Sequence, residues 1–521
     1  MALRFALTLV LGSLSLASLV TPAQAQEEPS PAPTPPNIVV ILTDDMRADL
    51  LDDLPTVQRE LVGRGRTFEQ AFVVDPVCCP SRTSFLRGQY AHTTSVYDID
   101  GPFGGWGQIR DAGLESSTLA TWLTPTHHTA LVGKYVNGYN SAAVVPPGWD
   151  RWRAMMKPGY PAGAWTMSVQ GTKSTPPSYS TTAMTDEAAA AIVAAGAEPI
   201  FLWVGYYAPH NPSTAEPRFA NESAQCGDVD YRTTPSFNEA GSDKVAIDGL
   251  NAMKDKARWH KGRTAWSASK SMTEGRTIPL RGCRSLLSVD EGVGRIVAAL
   301  EEKDPGLRNT VIVFSSDQGI QYGEHNWSGK RVPYEGSIRV PLVVRADGLL
   351  PDEGTASIDR QNLVLNIDLA PTLLDLVGTT ATPGCPSTEP FATACASRGG
   401  AFDGQSFAPL LDESPHPYPG FADRTFLIEM YDDDGFPTYC AVRSPDAKLI
   451  RYFRNAGPDY EGYDLTGAYG RADPHELHSV VYSNSDGIPR FRAGGAQLFA
   501  DLSPSLVTLC DPLPPLYPGF T

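Results

Sequence analysis

Four short apolar runs, each ending in polar residues, constrain the fold of this 521-residue chain more than any other feature. Ile38-Val39-Val40-Ile41-Leu42 leads into Thr43-Asp44-Asp45, and Thr129-Ala130-Leu131-Val132 leads into Gly133-Lys134. Ile200-Phe201-Leu202-Trp203-Val204 continues through Gly205-Tyr206-Tyr207-Ala208-Pro209 to His210, and Val311-Ile312-Val313-Phe314 runs into Ser315-Ser316-Asp317-Gln318. Continuous hydrophobicity, in place of apolar–polar alternation, marks strands buried on both faces, as in a parallel sheet covered by helices. Helical stretches are predicted between them at 117–123, 186–195 and 285–302. The last carries Leu286, Val289, Val293, Ile296 and Leu300 at helical spacing. The alternation predicts an α/β fold: a large, mostly parallel mixed sheet sandwiched by helices. Ligands gather at the carboxyl ends of such strands, so ends bearing Asp, Lys, His and Asp are expected to share one cleft.

Asp44, Asp45, Asp317 and Gln318 offer three carboxylates and an amide oxygen, a hard-oxygen set suited to Ca²⁺ or Mg²⁺ and lacking the His and Cys cluster of a zinc site. From about Cys385 the texture changes: Gly and Pro are frequent, and 438–442 and 448–453 read as a hairpin around Ser444-Pro445-Asp446. The expected organisation is a catalytic α/β domain at 37–384 and a smaller α+β domain at 385–521. Residues 1–25 read as a cleaved secretory signal peptide, with Arg4, an apolar run and Ala23-Gln24-Ala25 at the cleavage site. Residues 26–36 read as a Pro-rich spacer. A secreted or extracytoplasmic protein is therefore expected, without membrane insertion, since no later apolar run is long enough to span a bilayer. The net charge of −17 argues against nucleic acid as a partner. Of eight cysteines, six stand away from the Cys78-Cys79 pair, and in an exported chain they suggest disulfides. Closeness in sequence favours Cys226–Cys283, Cys385–Cys395 and Cys440–Cys510 among fifteen possible pairings.

Cys78-Cys79-Pro80-Ser81-Arg82, followed by Thr83-Ser84-Phe85-Leu86-Arg87-Gly88, resembles the sulfatase signature C-x-P-S-R-x-x-x-L-x-G. Further stretches resemble the same family. Asp317-Gln318-Gly319 stands where it carries Asp-Asn or a similar pair, and Gly323-Glu324-His325, Gly329-Lys330, Pro333-Tyr334-Glu335 and Arg339-Val340-Pro341 follow in its order. Gly133-Lys134-Tyr135-Val136-Asn137 is similar to the second lysine motif, with Val136 where many members have histidine. Ala208-Pro209-His210-Asn211-Pro212 resembles A-P-H-x-P, and Tyr463-Asp464-Leu465 with Asp473-Pro474-His475-Glu476-Leu477 looks like the closing motif. The style is that of the N-acetylglucosamine-6-sulfatase and arylsulfatase branch of the formylglycine-dependent sulfatases, within the alkaline-phosphatase-like superfamily.

The resemblance implies a sulfuric ester hydrolase acting on a small-molecule or carbohydrate sulfate ester. It implies that Cys78 is oxidised by a formylglycine-generating maturation enzyme to 3-oxoalanine, whose hydrate attacks sulfur and then expels sulfate. One calcium ion, with Mg²⁺ the less expected choice, is implied at Asp44, Asp45, Cys78, Asp317 and Gln318. Arg82, one helical turn from Cys78, is expected to hold the hydrated aldehyde. Lys134, His210, His325 and Lys330 are expected to bind substrate. His210 is the first choice to protonate the departing oxygen and His325 the second. Competing readings are a phosphomonoester or phosphonate-ester hydrolase on the same scaffold and an inactive carbohydrate-binding homologue. His92, His127 and His128 are read as structural or exposed, and Asp432-Asp433-Asp434 as a solvated acidic loop. Asn221-Glu222-Ser223 and Asn326-Trp327-Ser328 fit the glycosylation sequon.

Overall fold

The Asn37–Asp44 strand is buried along its whole length in the computed structural model. The structure describes residues 34–238, 266–349, 355–389, 391–396, 399–412, 416–431, 437–453, 458–483 and 487–510. The signal peptide at 1–25, most of the spacer and Asp432-Asp433-Asp434 lie outside the described residues. Along the first strand, Ile38, Val40 and Leu42 face one apolar cluster while Val39 and Ile41 face another. This two-residue alternation between two cores is why the run is apolar throughout. Each Val, Leu or Ile buried in this way contributes roughly 1.5–3 kcal/mol.

The strand sits mid-way in a ten-stranded sheet. Thr310–Ser316 pairs with it in parallel on one side and Ile200–Pro209 on the other, and His128–Gly133 then Arg151–Lys157 continue outward in parallel. Antiparallel strands such as Leu342–Arg345 and Thr166–Val169 complete the margins, so the sheet is mixed and parallel at its centre. The four expected strand ends thus lie on neighbouring strands at one edge.

Helices Ser180–Ala194 and Ile278–Lys303 cover one face; Leu286, Val289, Val293, Ile296 and Leu300 are all fully buried against it. Cys78–Arg87 helps to cover the other face through Cys79, Phe85 and Leu86. The helix expected at 117–123 is shorter, Leu119–Leu123, because the Thr118 backbone N–H is taken by the Thr121 hydroxyl at 2.9 Å, starting the helix there.

A second, antiparallel sheet of six strands runs from Phe426–Met430 to Pro489–Phe491. Its hairpin joins Tyr439–Arg443 to Ala447–Tyr452 with Arg443 opposite Lys448. One face shares the core of the large sheet through Ile428, Ala441, Ile450 and Tyr463, and the other packs on helix Gly495–Cys510. The bonds Cys226–Cys283, Cys385–Cys395 and Cys440–Cys510 match the expected pairing. The last staples the helix to its sheet, and each such bond typically contributes about 2–4 kcal/mol by restricting the unfolded chain.

Candidate active site

Asp45 has φ 70°, in the left-handed region that Asp tolerates more readily than most residues. A regular strand would send consecutive side chains to opposite faces. The turn at this position brings Asp44 and Asp45 together instead, and carboxylate oxygens of both lie within 4.8 Å of one another and of Asp317. Asp317 is held in place by backbone: its N–H donates to the Thr43 carbonyl at 3.1 Å, and its Oδ1 accepts from the Asp45 N–H at 3.1 Å.

Two glycines let a cation reach this group. A Cβ on Gly133 would lie 2.1 Å from the Gly205 carbonyl oxygen, and one on Gly205 would lie 2.2 Å from that of Lys134. Their absence allows the strand ends to close, with the Lys134 N–H donating to Gly205 O at 2.7 Å. Lys134 Nζ then stands 2.5 Å from Asp44 Oδ2. Lys330 Nζ lies 2.8 Å from Asp45 Oδ1 and 2.7 Å from Cys78 Sγ.

Cys78 opens its helix, so its side chain faces the strand ends. Its sulfur lies 3.6 Å from Asp44 Oδ1 and accepts from Gln318 Nε2 at 3.2 Å. Burial pushes the thiol up to about 11 against the pull of Lys134 and Lys330, so it is a neutral group at ordinary pH and a poor nucleophile. Gln318 also donates to Asp45 Oδ1, while its own Oε1 is buried without a hydrogen-bond partner among the described residues. A half-turn of that amide would put the oxygen among the carboxylates.

Arg82 stands among the site's carboxylates. It is fully buried, and Nε donates to Asp317 Oδ2 at 2.7 Å and Nη1 to the Lys134 carbonyl at 3.0 Å. A buried guanidinium needs a counter-charge, and Asp317 supplies it. Nη2, which has no hydrogen-bond partner among the described residues, lies 3.9 Å from Asp44 Oδ2. His210 is half-exposed, with Nε2 3.7 Å from Asp45 Oδ2. Its Nδ1 is 2.7 Å from the Asn211 carbonyl, which only accepts, so Nδ1 carries hydrogen and Nε2 faces the cluster. Tyr207 stacks on the imidazole at 4.8 Å, and Tyr160 OH donates to the His210 carbonyl at 2.6 Å. His325 is buried and stacks on Tyr334 at 4.0 Å.

Electrostatics follow from this crowding. Burial alone would raise Asp44, but Lys134, His210, Arg82 and Lys330 hold it far below the usual carboxylate range. Asp45 is lowered too, with Lys330 and His210 outweighing its burial. Asp317 takes the residual strain: burial and the Asp44 charge push it up to about 7. Burial would lower Lys330, but Asp45, Cys78, Asp44 and Asp317 together raise it well above its ordinary value. The three carboxylates and the orphan amide oxygen are the donor set a hard divalent cation takes.

Two supports were not legible in the sequence. Ser81 Oγ donates to the Asp317 carbonyl, tying the Cys78 helix to the strand end. Asn366 donates to Ser81 Oγ at 3.2 Å and accepts from the Val74 N–H at 3.1 Å, from 285 positions away. Ser81 lies within the signature, but no local pattern marks Asn366. Two other histidines have structural partners: His92 pairs with Glu429 at 2.9 Å, and His127 Nε2 donates to the Pro36 carbonyl at 3.0 Å. Of the two sequons, Asn221 is exposed, whereas Asn326 is 1% exposed and leaves no room for a glycan.

Comparison with known proteins agrees with this geometry. The sulfatase family model matches residues 36–379, and the N-sulphoglucosamine sulphohydrolase C-terminal model matches residues 323–488. The chain is 29% identical to an arylsulfatase of Volvox carteri over 85% of this chain and 71% of that one. It is 30% identical to an N-acetylglucosamine-6-sulfatase of Capra hircus over 86% of this chain and 80% of that one. A solved structure described as a complex with its substrate D-glucosamine-2-N,6-O-disulfate shares the fold at a TM-score of 0.66 and 21% identity, covering 92% of this chain and 97% of that one. An acid-rich, lysine-flanked cluster built on these strand ends, in a chain matched over most of its length, makes this protein a member of the sulfatase family and a sulfuric ester hydrolase.

Proposed function

We propose that the chain is a secreted sulfatase that releases inorganic sulfate from a sugar or aryl sulfate monoester, using formylglycine formed from Cys78 and one bound calcium ion. The observation that carries this reading is the meeting of Asp44, Asp45, Asp317 and Gln318 with Lys134 and Lys330 around Cys78 Sγ. That sulfur stands in for an oxygen on the converted side chain. The likeness to N-acetylglucosamine-6-sulfatase over most of both chains supports a sulfated amino sugar as the substrate class. Three disulfides support an oxidising compartment, in keeping with the leader read at 1–25.

Asp44, Asp45, Asp317 and Gln318 would hold the calcium, which would supply Lewis-acid charge toward the sulfate oxygens. Formylglycine at position 78, as its hydrate, would supply the hydroxyl that attacks sulfur and a second that releases it. Lys134 and Lys330 place two ammonium groups beside the reacting centre, where a sulfate monoanion would otherwise repel any nucleophile. Arg82 neutralises Asp317 and keeps it oriented. His210 presents Nε2 toward Asp45 and is the group that would pass a proton to the departing alcohol oxygen.

Matched rates on an aryl sulfate and an aryl phosphate test the assignment. Sulfate turnover is expected to dominate; dominance of phosphate would replace this reading with the phosphoester one. The role of His210 is tested with leaving groups. His210→Ala should slow release from a sugar sulfate by about 10²–10⁴-fold, because an alkoxide needs that proton. A nitrophenyl sulfate should lose far less, since its leaving group departs as a stable anion. Equal losses on both substrates would remove His210 from that role.

A further inference from the structure

Lys330 lies between two backbone positions in the left-handed range, Gly329 at φ 114° and Arg331 at φ 80°. A lysine on such irregular backbone, with four rotatable bonds, is not aimed by its own local structure. Trp327 Nε1 donates to the Lys330 carbonyl at 3.0 Å and the Arg331 N–H to the Pro76 carbonyl at 3.2 Å, and the chain just beyond is anchored from the C-terminal sheet. Lys448 Nζ donates to the Pro333 carbonyl at 2.7 Å and to Glu476 Oε1 at 2.6 Å, and lies 3.0 Å from Glu335 Oε1. The Glu335 N–H donates to Glu476 Oε2 at 2.8 Å, and Arg443 Nε donates to Glu335 Oε1 at 3.2 Å. Tyr334 OH donates to Glu461 Oε2 at 2.9 Å, and the same tyrosine carries the His325 ring. Lys448 and Glu476 are both buried, the first completely.

A buried charge cluster of this kind is a poor source of net stability, because desolvation offsets most of the attraction. Its strict geometry is what apolar packing would not provide. We propose that Lys448 and Glu476 are positioning residues for catalysis: by gripping Pro333 and Glu335 they set the backbone from which Lys330 reaches position 78. This rests on the reading above that Lys330 acts on the sulfate group. It gives a role to the closing Asp473-Pro474-His475-Glu476-Leu477 segment, which makes no direct contribution to the chemistry.

The test uses the full chain with Lys448→Met, Lys330→Ala and the two combined. Turnover of 4-nitrophenyl sulfate is measured at matched aldehyde content and below the melting onset of each variant. Displacing a reacting group by about an ångström costs on the order of 100-fold, so Lys448→Met should lower kcat by about that factor. In the Lys330→Ala background it should add almost nothing, since it acts through that residue. Unchanged kcat in Lys448→Met, or a full additional loss in the combined variant, would overturn the proposal. Where Lys448→Met does not fold, Lys448→Met with Glu476→Gln removes the stranded carboxylate charge and serves in the same cycle. Full activity of Lys330→Ala alone would instead refute the assignment of Lys330 itself, an outcome visible separately from the cycle.

Discussion

Cys78→Ala is expected to lower kcat by about 10⁶-fold, the order seen when a catalytic nucleophile is removed, while leaving the melting temperature close to the parent value. The side chain occupies the one point that Lys330, Gln318 and Asp44 approach together. Its loss removes only a small buried group from the fold. Cys78→Ser should be nearly as inactive, since a serine has a single hydroxyl and cannot expel sulfate as the aldehyde hydrate does. Intact mass of the peptide spanning residue 78 gives the companion measurement: conversion of thiol to aldehyde lowers it by about 18 Da. Active protein with an unconverted thiol would refute the proposed nucleophile.

Stripping divalent metal should reduce turnover by roughly 10³-fold, in line with several kcal/mol of Lewis-acid stabilisation, and calcium should restore it. The argument is one of charge. Asp44, Asp45 and Asp317 face Lys134, Lys330 and Arg82, so the cluster is balanced before a sulfate anion enters. Additional positive charge is needed to bind and activate that anion. Calcium at 100 times its dissociation constant should also raise stability by about 2.7 kcal/mol, read as a shift in melting temperature. Asp317→Asn should lose both effects together. Full turnover in chelator after exhaustive dialysis, with no calcium-dependent shift, would remove the metal from the mechanism.

The parts of the molecule governed by short-range pattern were legible in advance. The four apolar runs became adjacent parallel strands, since a strand that fills two cores has no position for a polar residue. The Ser444-Pro445-Asp446 turn predicted its hairpin, and neighbouring cysteines paired as their spacing suggested. Arg82 shows where such reasoning stops. Helical spacing put it on the side of Cys78, and only the fold supplied its counter-charge, Asp317, 235 positions away.

Local chemistry, written along the chain, determined which strands form and which ends carry charge. Three-dimensional packing alone decided the partners: Asn366 on Ser81, Lys448 under Pro333, Gln318 turned toward sulfur. The division has a physical cause. Hydrophobic periodicity is a property of neighbours in sequence, whereas buried polar atoms seek whichever donor or acceptor folding delivers, and that choice depends on segments hundreds of residues apart.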